Sequence, residues 1–269
     1  LTAEEIALVR DHHDPVRSAA LSYTELDRYS RHIMLREVGG VGQRALKAGS
    51  VLVVGAGGLG SSALYYLSAA GVGRIGVIDD DVVESSNLQR QVIHRDSDID
   101  MPKVFSAEYA MRALNPFVDV QAYHRRIDEH NAPLFIDDFD VILDGSDNFE
   151  TRYLVNRVCV EKRKPLVSGA LTQWEGQVSV FDPAKNGPCY QCLFPEPPAD
   201  GLAPTCAETG VIGPLPGVIG SMMALEAIKI VVGIDQTLRS FMFVYDALWA
   251  ETRKIAVGSR SDCPICQKK

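Results

Sequence analysis

Gly55-Ala56-Gly57-Gly58-Leu59-Gly60 stands between a β-branched run, Val51 to Val54, and a helical apolar pattern carried by Ala63, Leu64, Leu67 and Ala70. In that strand, turn and helix setting, a G-x-G-x-x-G turn brings backbone N–H groups and the positive end of a helix dipole up to a phosphate. Asp79 follows 19 residues after Gly60, where the next apolar run ends and an acidic side chain holds a ribose hydroxyl in sites of this kind. The pattern predicts a nucleotide site on Gly55, Gly57, Gly58, Gly60 and Asp79 and does not name the nucleotide. Taken alone it would mean NAD and hydride transfer, the alternative reading of this chain. Beyond Asp79, however, come Asn87, Arg90 and Lys103, and the run Val141-Ile142-Leu143 leads into Asp144, Ser146, Asp147 and Asn148. Strand carboxyl ends converge on one crevice in an open parallel sheet, so these groups are expected to face the same phosphates. Cations together with carboxylates point to phosphate plus Mg²⁺, which a dinucleotide left intact does not require.

Cys189-x-x-Cys192 and Cys263-x-x-Cys266 supply two thiolate pairs, the usual Cys₄ arrangement for Zn²⁺. The alternative is disulfide pairing, which a cytoplasmic chain would not keep. Four thiolates leave no open coordination position, so such a metal would clamp distant segments together rather than catalyse. Cys159 falls in a helical apolar pattern and reads as core. Cys206, within Pro204-Thr205-Cys206-Ala207-Glu208, is outside the zinc set and is either an incidental loop residue or a working thiol.

The elements that must position these groups alternate. Helical spacing from Thr24 to Glu37 is broken at Val38-Gly39-Gly40, read as a helix end and turn. Buried-strand candidates follow at Ile75 to Ile78, Val141 to Leu143, Leu166 to Val167 and Val178 to Phe181, with helical stretches near 103–113 and 151–163 and a last strand at Phe241 to Tyr245. This βαβ alternation predicts an α/β fold: a Rossmann-like, doubly wound, mostly parallel sheet covered on both faces. Between Asp182 and Gly217 the pattern dissolves into a long crossover loop rich in Pro and Gly, leading to a C-terminal zinc-clamped region. Val218, Met222, Leu225, Ile228 and Val232 form an apolar stripe on a helix beginning near Gly217. Residues 1–20 read as an N-terminal helical extension and 21–269 as the nucleotide-binding domain with its Cys₄ site.

Composition narrows the function classes. Lys+Arg 27 against Asp+Glu 35 leaves a net charge of −8, which repels nucleic acid and anionic membrane in bulk, so no partner of either kind is expected. The most apolar stretch, Val218 to Ile234, carries Glu226 and Lys229 and reads as a buried helix. The first residues lack the basic start and small-residue cleavage site of a secretory signal, so the cytoplasm is the expected location.

RYSRHI, GAGGLGS, SNLQRQ, DGSDNFETRYL, EGQVSVF, PCYQCLFPEPP, CAETGVIG and PGVIG together resemble the ubiquitin-activating-like adenylyltransferases, in particular the molybdopterin-synthase adenylyltransferase and ThiF group. The resemblance runs from Tyr29 to Cys266. It implies ATP-dependent adenylylation of the C-terminal glycine of a ubiquitin-like sulfur carrier protein ending in Gly-Gly, giving acyl-adenylate and pyrophosphate before thiocarboxylate formation. It further implies that the glycine turn with Gly58 holds the triphosphate and Asp79 the ribose. Asn87, Arg90 and Lys103 would bind phosphates and Asp147 magnesium. Arg31, in RYSRHI, resembles an arginine that reaches into a neighbouring subunit's site, implying a homodimer. Cys206 matches a cysteine that in some members handles sulfur, delivered by a persulfide-bearing donor protein, or forms a covalent link to the carrier tail. A departure stands at Ile99-Asp100-Met101-Pro102-Lys103, where the family often has a glycine before the proline and lysine, so the loop presenting Lys103 is expected to be set differently.

Overall fold

The computed structural model describes residues 20–197 and 209–267. The expected extension over residues 1–20 therefore lies, except for Ala20, outside the described residues. Eight strands form one sheet: β1 Ser50–Val54, β2 Arg74–Asp79, β3 Asp119–His124, β4 Val141–Asp144, β5 Leu166–Thr172, β6 Glu175–Phe181, β7 Phe241–Asp246 and β8 Glu251–Ala256, in the order β3-β2-β1-β4-β5-β6-β7-β8. The pairings from β3 through β5 are parallel and those from β5 through β8 antiparallel. The order reverses at β1, whose neighbours β2 and β4 wind in opposite directions, and a ligand crevice opens at such a switch point.

Both faces are covered by helices. Side chains of a strand alternate between faces, so Val51 and Val53 join one core with Leu64 and Leu67 of α4 (Gly58–Ala70), Met111 of α5 (Lys103–Leu114) and Ile219 of α9 (Pro214–Val232). Leu52 and Val54 join the other with Phe135 of α6 (Ala132–Asp138) and Val155 of α7 (Phe149–Lys162). A fully buried side chain of this size contributes about 1.5–3 kcal/mol.

Three expectations change. The helical pattern from Thr24 to Glu37 is split into α1 (Tyr23–Arg28) and α2 (Ser30–Ile33), because Tyr29 turns inward, buried, with its hydroxyl accepting from Asn115 at 2.8 Å. Gly39 and Gly40 do not end a helix; they begin α3 (Gly39–Ala48), with Gly39 at φ +56°. On α9, which starts at Pro214, the buried face is Leu215, Ile219, Met223, Ala224 and Ala227, whereas Val218 and Leu225 of the expected stripe are 42% and 54% exposed. α9 is almost wholly apolar, so its sequence has two candidate faces, and its close crossing with α4 selects the one with small residues. A Cβ on Gly220 would lie 2.2 Å from the Leu59 carbonyl oxygen. By length and composition α9 is a candidate membrane span, but here it packs along α4, β5 and β6.

Candidate active site

β1 runs into the glycine turn as expected, and two glycines there are sterically required. Gly55 has φ +96°, and a Cβ on Gly60 would sit 2.0 Å from the Gly55 carbonyl oxygen, so nothing larger lets α4 leave the turn this tightly. Gly58 is packed against Pro216 of α9, where a Cβ would approach to 2.9 Å. Gly57, by contrast, has among the described residues only Gln91 Nε2 within reach of a Cβ, at 3.7 Å, and is the open side of the turn there.

Asp79 ends β2 beside this turn, its carboxylate accepting the N–H of Ala56 at 2.7 Å and that of Asp81 at 2.8 Å. Burial raises its carboxyl above the usual range, against those two hydrogen bonds and Lys103, which oppose the rise. Lys103 opens α5, its ammonium 2.7 Å from Asp81 with only 7% of the side chain exposed. Arg90 reaches the Ser86 carbonyl at 3.0 Å, and its stem borders Gly58. Asn87 is buried in the 3₁₀ turn Ser85–Asn87, its carbonyl oxygen accepting from the Glu84 N–H, so its amide holds the turn that presents Arg90. Gly145, which a Gly55 Cβ would touch at 3.1 Å, brings the loop after β4 to the same edge. There Asp147 is exposed, whereas Asp144 is buried and accepts from Ser146, an inward role.

The structure thus gathers the glycine turn, Asp79, Arg90, Lys103 and the Asp147 loop at one crevice. Arg31 does not join them. Tyr29, two residues before it, covers Gly71 at the far end of α4 from the glycine turn, and a helix of 13 residues is about 20 Å long. Cys206 lies outside the described residues. Three supporting residues escaped the sequence reading: His94 and Ser106 behind the turn, and Arg152 on α7, which donates to the carbonyls of Gly169 and Ser146 and so props the Asp147 loop. His94 and Ser106 belong to no spaced motif, and Arg152, although inside DGSDNFETRYL, has no spacing that marks it as a support for the loop.

The second centre is formed by Cys189, Cys192, Cys263 and Cys266, whose sulfurs lie within 4.8 Å of one another. Sulfur pairs stand 3.4, 3.6 and 4.0 Å apart, close to the roughly 3.8 Å edge of a tetrahedron with Zn–S of about 2.3 Å and too far for disulfides. Burial first, and then the neighbouring Cys192 sulfur, push the Cys189 thiol up to about 11. The residues fit zinc. They join α8 (Tyr190–Leu193) to the segment after β8. Cys159 is buried core, as expected, its thiol pushed well up by burial.

The ThiF family profile matches residues 29–265. The chain belongs to the ThiF family. It is 51% identical over 246 residues to the sulfur carrier protein adenylyltransferase of Thermus thermophilus, covering 90% of this chain and 91% of the relative. To the SAMP-activating enzyme E1 of Haloferax volcanii it is 48% identical over 247 residues, covering 92% and 91%. Among solved structures the E. coli protein MccB superposes with a TM-score of 0.80 at 21% identity, over 93% of this chain and 74% of that one, a likeness of fold.

The departure of this ThiF-family chain before Lys103 has a local explanation. Asp100 has φ +69°, the left-handed region that glycine occupies without strain and that aspartate tolerates better than most residues. The backbone that a glycine would adopt is therefore retained, and Lys103 still begins α5, its N–H bonded to the Asp81 carbonyl at 3.0 Å. Asp100→Gly is expected to leave ATP–pyrophosphate exchange unchanged, while Asp100→Val lowers stability by about 1–2 kcal/mol. Chemical denaturation with parallel exchange assays checks both, and equal stability of the valine variant would remove the strain argument.

Proposed function

We propose that this chain adenylylates the C-terminal glycine carboxylate of a small ubiquitin-like sulfur carrier protein, consuming ATP and releasing pyrophosphate ahead of thiocarboxylate formation. One observation carries the reading: two cations, Arg90 and Lys103, and the Asp147 carboxylate stand at the same crevice as the glycine turn. Nicotinamide chemistry has no use for that set, and family membership agrees with the nucleotidyl-transfer reading.

The carrier's carboxylate is already ionised at neutral pH, so it attacks the α-phosphorus without a general base. Negative charge then builds on the α-phosphate and the departing pyrophosphate. Arg90 and Lys103, fixed before the reaction, stabilise that charge without reorganising. The Asp147 carboxylate fits magnesium, which takes one or two protein carboxylates beside phosphate oxygens and water; when bound, the ion neutralises phosphate charge. Asp79 holds the ribose and zinc plays no chemical part. Cys206 passes sulfur after adenylation, with a persulfide-bearing protein as donor, in the cytoplasm. ATP–pyrophosphate exchange with a carrier ending in Gly-Gly tests the reading: exchange is expected, and none with a carrier lacking the final glycine. Exchange indifferent to the carrier would overturn it.

The active unit in this reading is a homodimer. Arg31, exposed and about one α4 length from its own glycine turn, serves a second copy's site. The exposed side of α9 and α4, with Tyr66, Val92, Val218 and Leu225, offers the apolar surface such a contact needs. Mixing an Arg31→Ala chain with an Asp147→Asn chain is expected to give each hybrid up to about half the activity of a wild-type dimer, since one of its two sites is intact. Failure to complement, with subunit exchange demonstrated, places Arg31 outside any composite site.

A further inference from the structure

The glycine turn is gripped from behind. His94 is buried, with Nε2 3.0 Å from the carbonyl oxygen of Ala56 and Nδ1 2.9 Å from Ser106 Oγ. A carbonyl only accepts, so Nε2 carries the hydrogen. The single hydroxyl hydrogen of Ser106 serves either Nδ1 or the Asp98 carboxylate, 2.7 Å from Oγ, and the contacts of the two ring nitrogens orient the ring from the first turn of α5. On its other side Ala56 gives its N–H to Asp79.

The consequence lies in the next peptide group. The Ala56–Gly57 bond is trans and planar, so its carbonyl and its N–H point in opposite directions. His94 draws the carbonyl into the interior. The Gly57 N–H is thereby turned to the open side of the turn, where among the described residues only Gln91 approaches the place of a Cβ. We infer that His94 is a positioning residue, locking the Ala56–Gly57 peptide so that the Gly57 N–H is presented to the triphosphate. Gly57 rotates freely about its own backbone bonds, and without the His94 contact the peptide can turn over. A carbonyl oxygen would then face the phosphates in place of a donor. This inference rests on the ATP reading above.

The test compares His94→Phe, which keeps an aromatic ring and removes both nitrogens, with His94→Gln, which restores an N–H donor on a shorter reach. Losing one hydrogen bond to a charged group corresponds to about a 10- to 100-fold change. His94→Phe is therefore expected to raise the KM and the calorimetric Kd for ATP by that factor with kcat held within several-fold, and His94→Gln to recover most of the loss. A ring that merely fills space would lower the melting temperature and the active fraction while leaving KM and Kd unchanged, and that result overturns the inference. If His94→Phe does not fold, Ser106→Ala decides: a rise of a few-fold in KM for ATP supports the role and an unchanged KM refutes it. Wild-type protein that neither binds ATP nor exchanges pyrophosphate would overturn the ATP reading itself, whereas normal wild-type exchange with unaltered variants overturns only the role of His94.

Discussion

Arg90→Ala and Lys103→Ala are each expected to lower carrier-dependent ATP–pyrophosphate exchange by about 10²–10³-fold, or roughly 2.7–4 kcal/mol of transition-state stabilisation, the usual loss of one preorganised electrostatic donor. The expectation differs from a stability effect because neither charge supports the fold. Arg90 is half-buried on a short turn, its guanidinium donating to the Ser86 carbonyl. Lys103 pairs with Asp81, whose side chain is 66% exposed, so water replaces the ammonium when the lysine is removed. The stem of Lys103 is buried, however, and its truncation leaves space behind; Lys103→Met keeps the packing and removes only the charge. Equal losses in Lys103→Ala and Lys103→Met, with unchanged melting temperatures, assign the effect to charge. Less than a tenfold loss for both Arg90 and Lys103 would mean that neither faces the reacting phosphates.

Removing one zinc ligand should have the second large effect. Wild-type protein is expected to carry one zinc per chain, and Cys189→Ser or Cys263→Ser to carry none. Structural zinc sites of four thiolates bind with apparent free energies of about 10–16 kcal/mol in small domains, much of it expressed as folding. Here such a metal would tie the α8 segment, next to the crossover, to the segment after β8, an outermost strand whose residues are all exposed. With few buried contacts of its own, the C-terminal segment depends on this tie. Hydrogen exchange should therefore lose protection at α8 and after Val257 together while β1, β2 and β4 keep theirs. Metal analysis that finds no zinc in the wild type would end this account, and loss of protection at only one of the two segments would show that the cysteines do not act as a clamp.

The four central parallel strands, the glycine turn, Asp79 at a strand end and the two cysteine pairs were legible along the chain. Each rests on short-range regularity: a period of two or of 3.6, a glycine required by sterics, or a ligand spacing of three residues. The two edge strands were not legible. β8 shows no apolar alternation to find because it is a sheet edge exposed along its length, and β3, the opposite edge, carries polar Asp119, Gln121 and His124 among its six residues. The division of Asp144 from Asp147 was likewise invisible, since which carboxylate turns inward depends on where β4 ends against β1 and β5. Sequence alone set the chemistry available to this protein: glycines, two cations, acidic groups and four thiols at spacings that admit a nucleotide and a metal. Tertiary structure decided which face of α9 is buried, that Asp100 occupies a left-handed backbone position ahead of Lys103, that Arg31 stands far from its own glycine turn, and that His94 and Ser106 grip that turn. Those outcomes depend on contacts between residues far apart in sequence or on backbone angles set by the fold, and neither leaves a periodic mark on the chain.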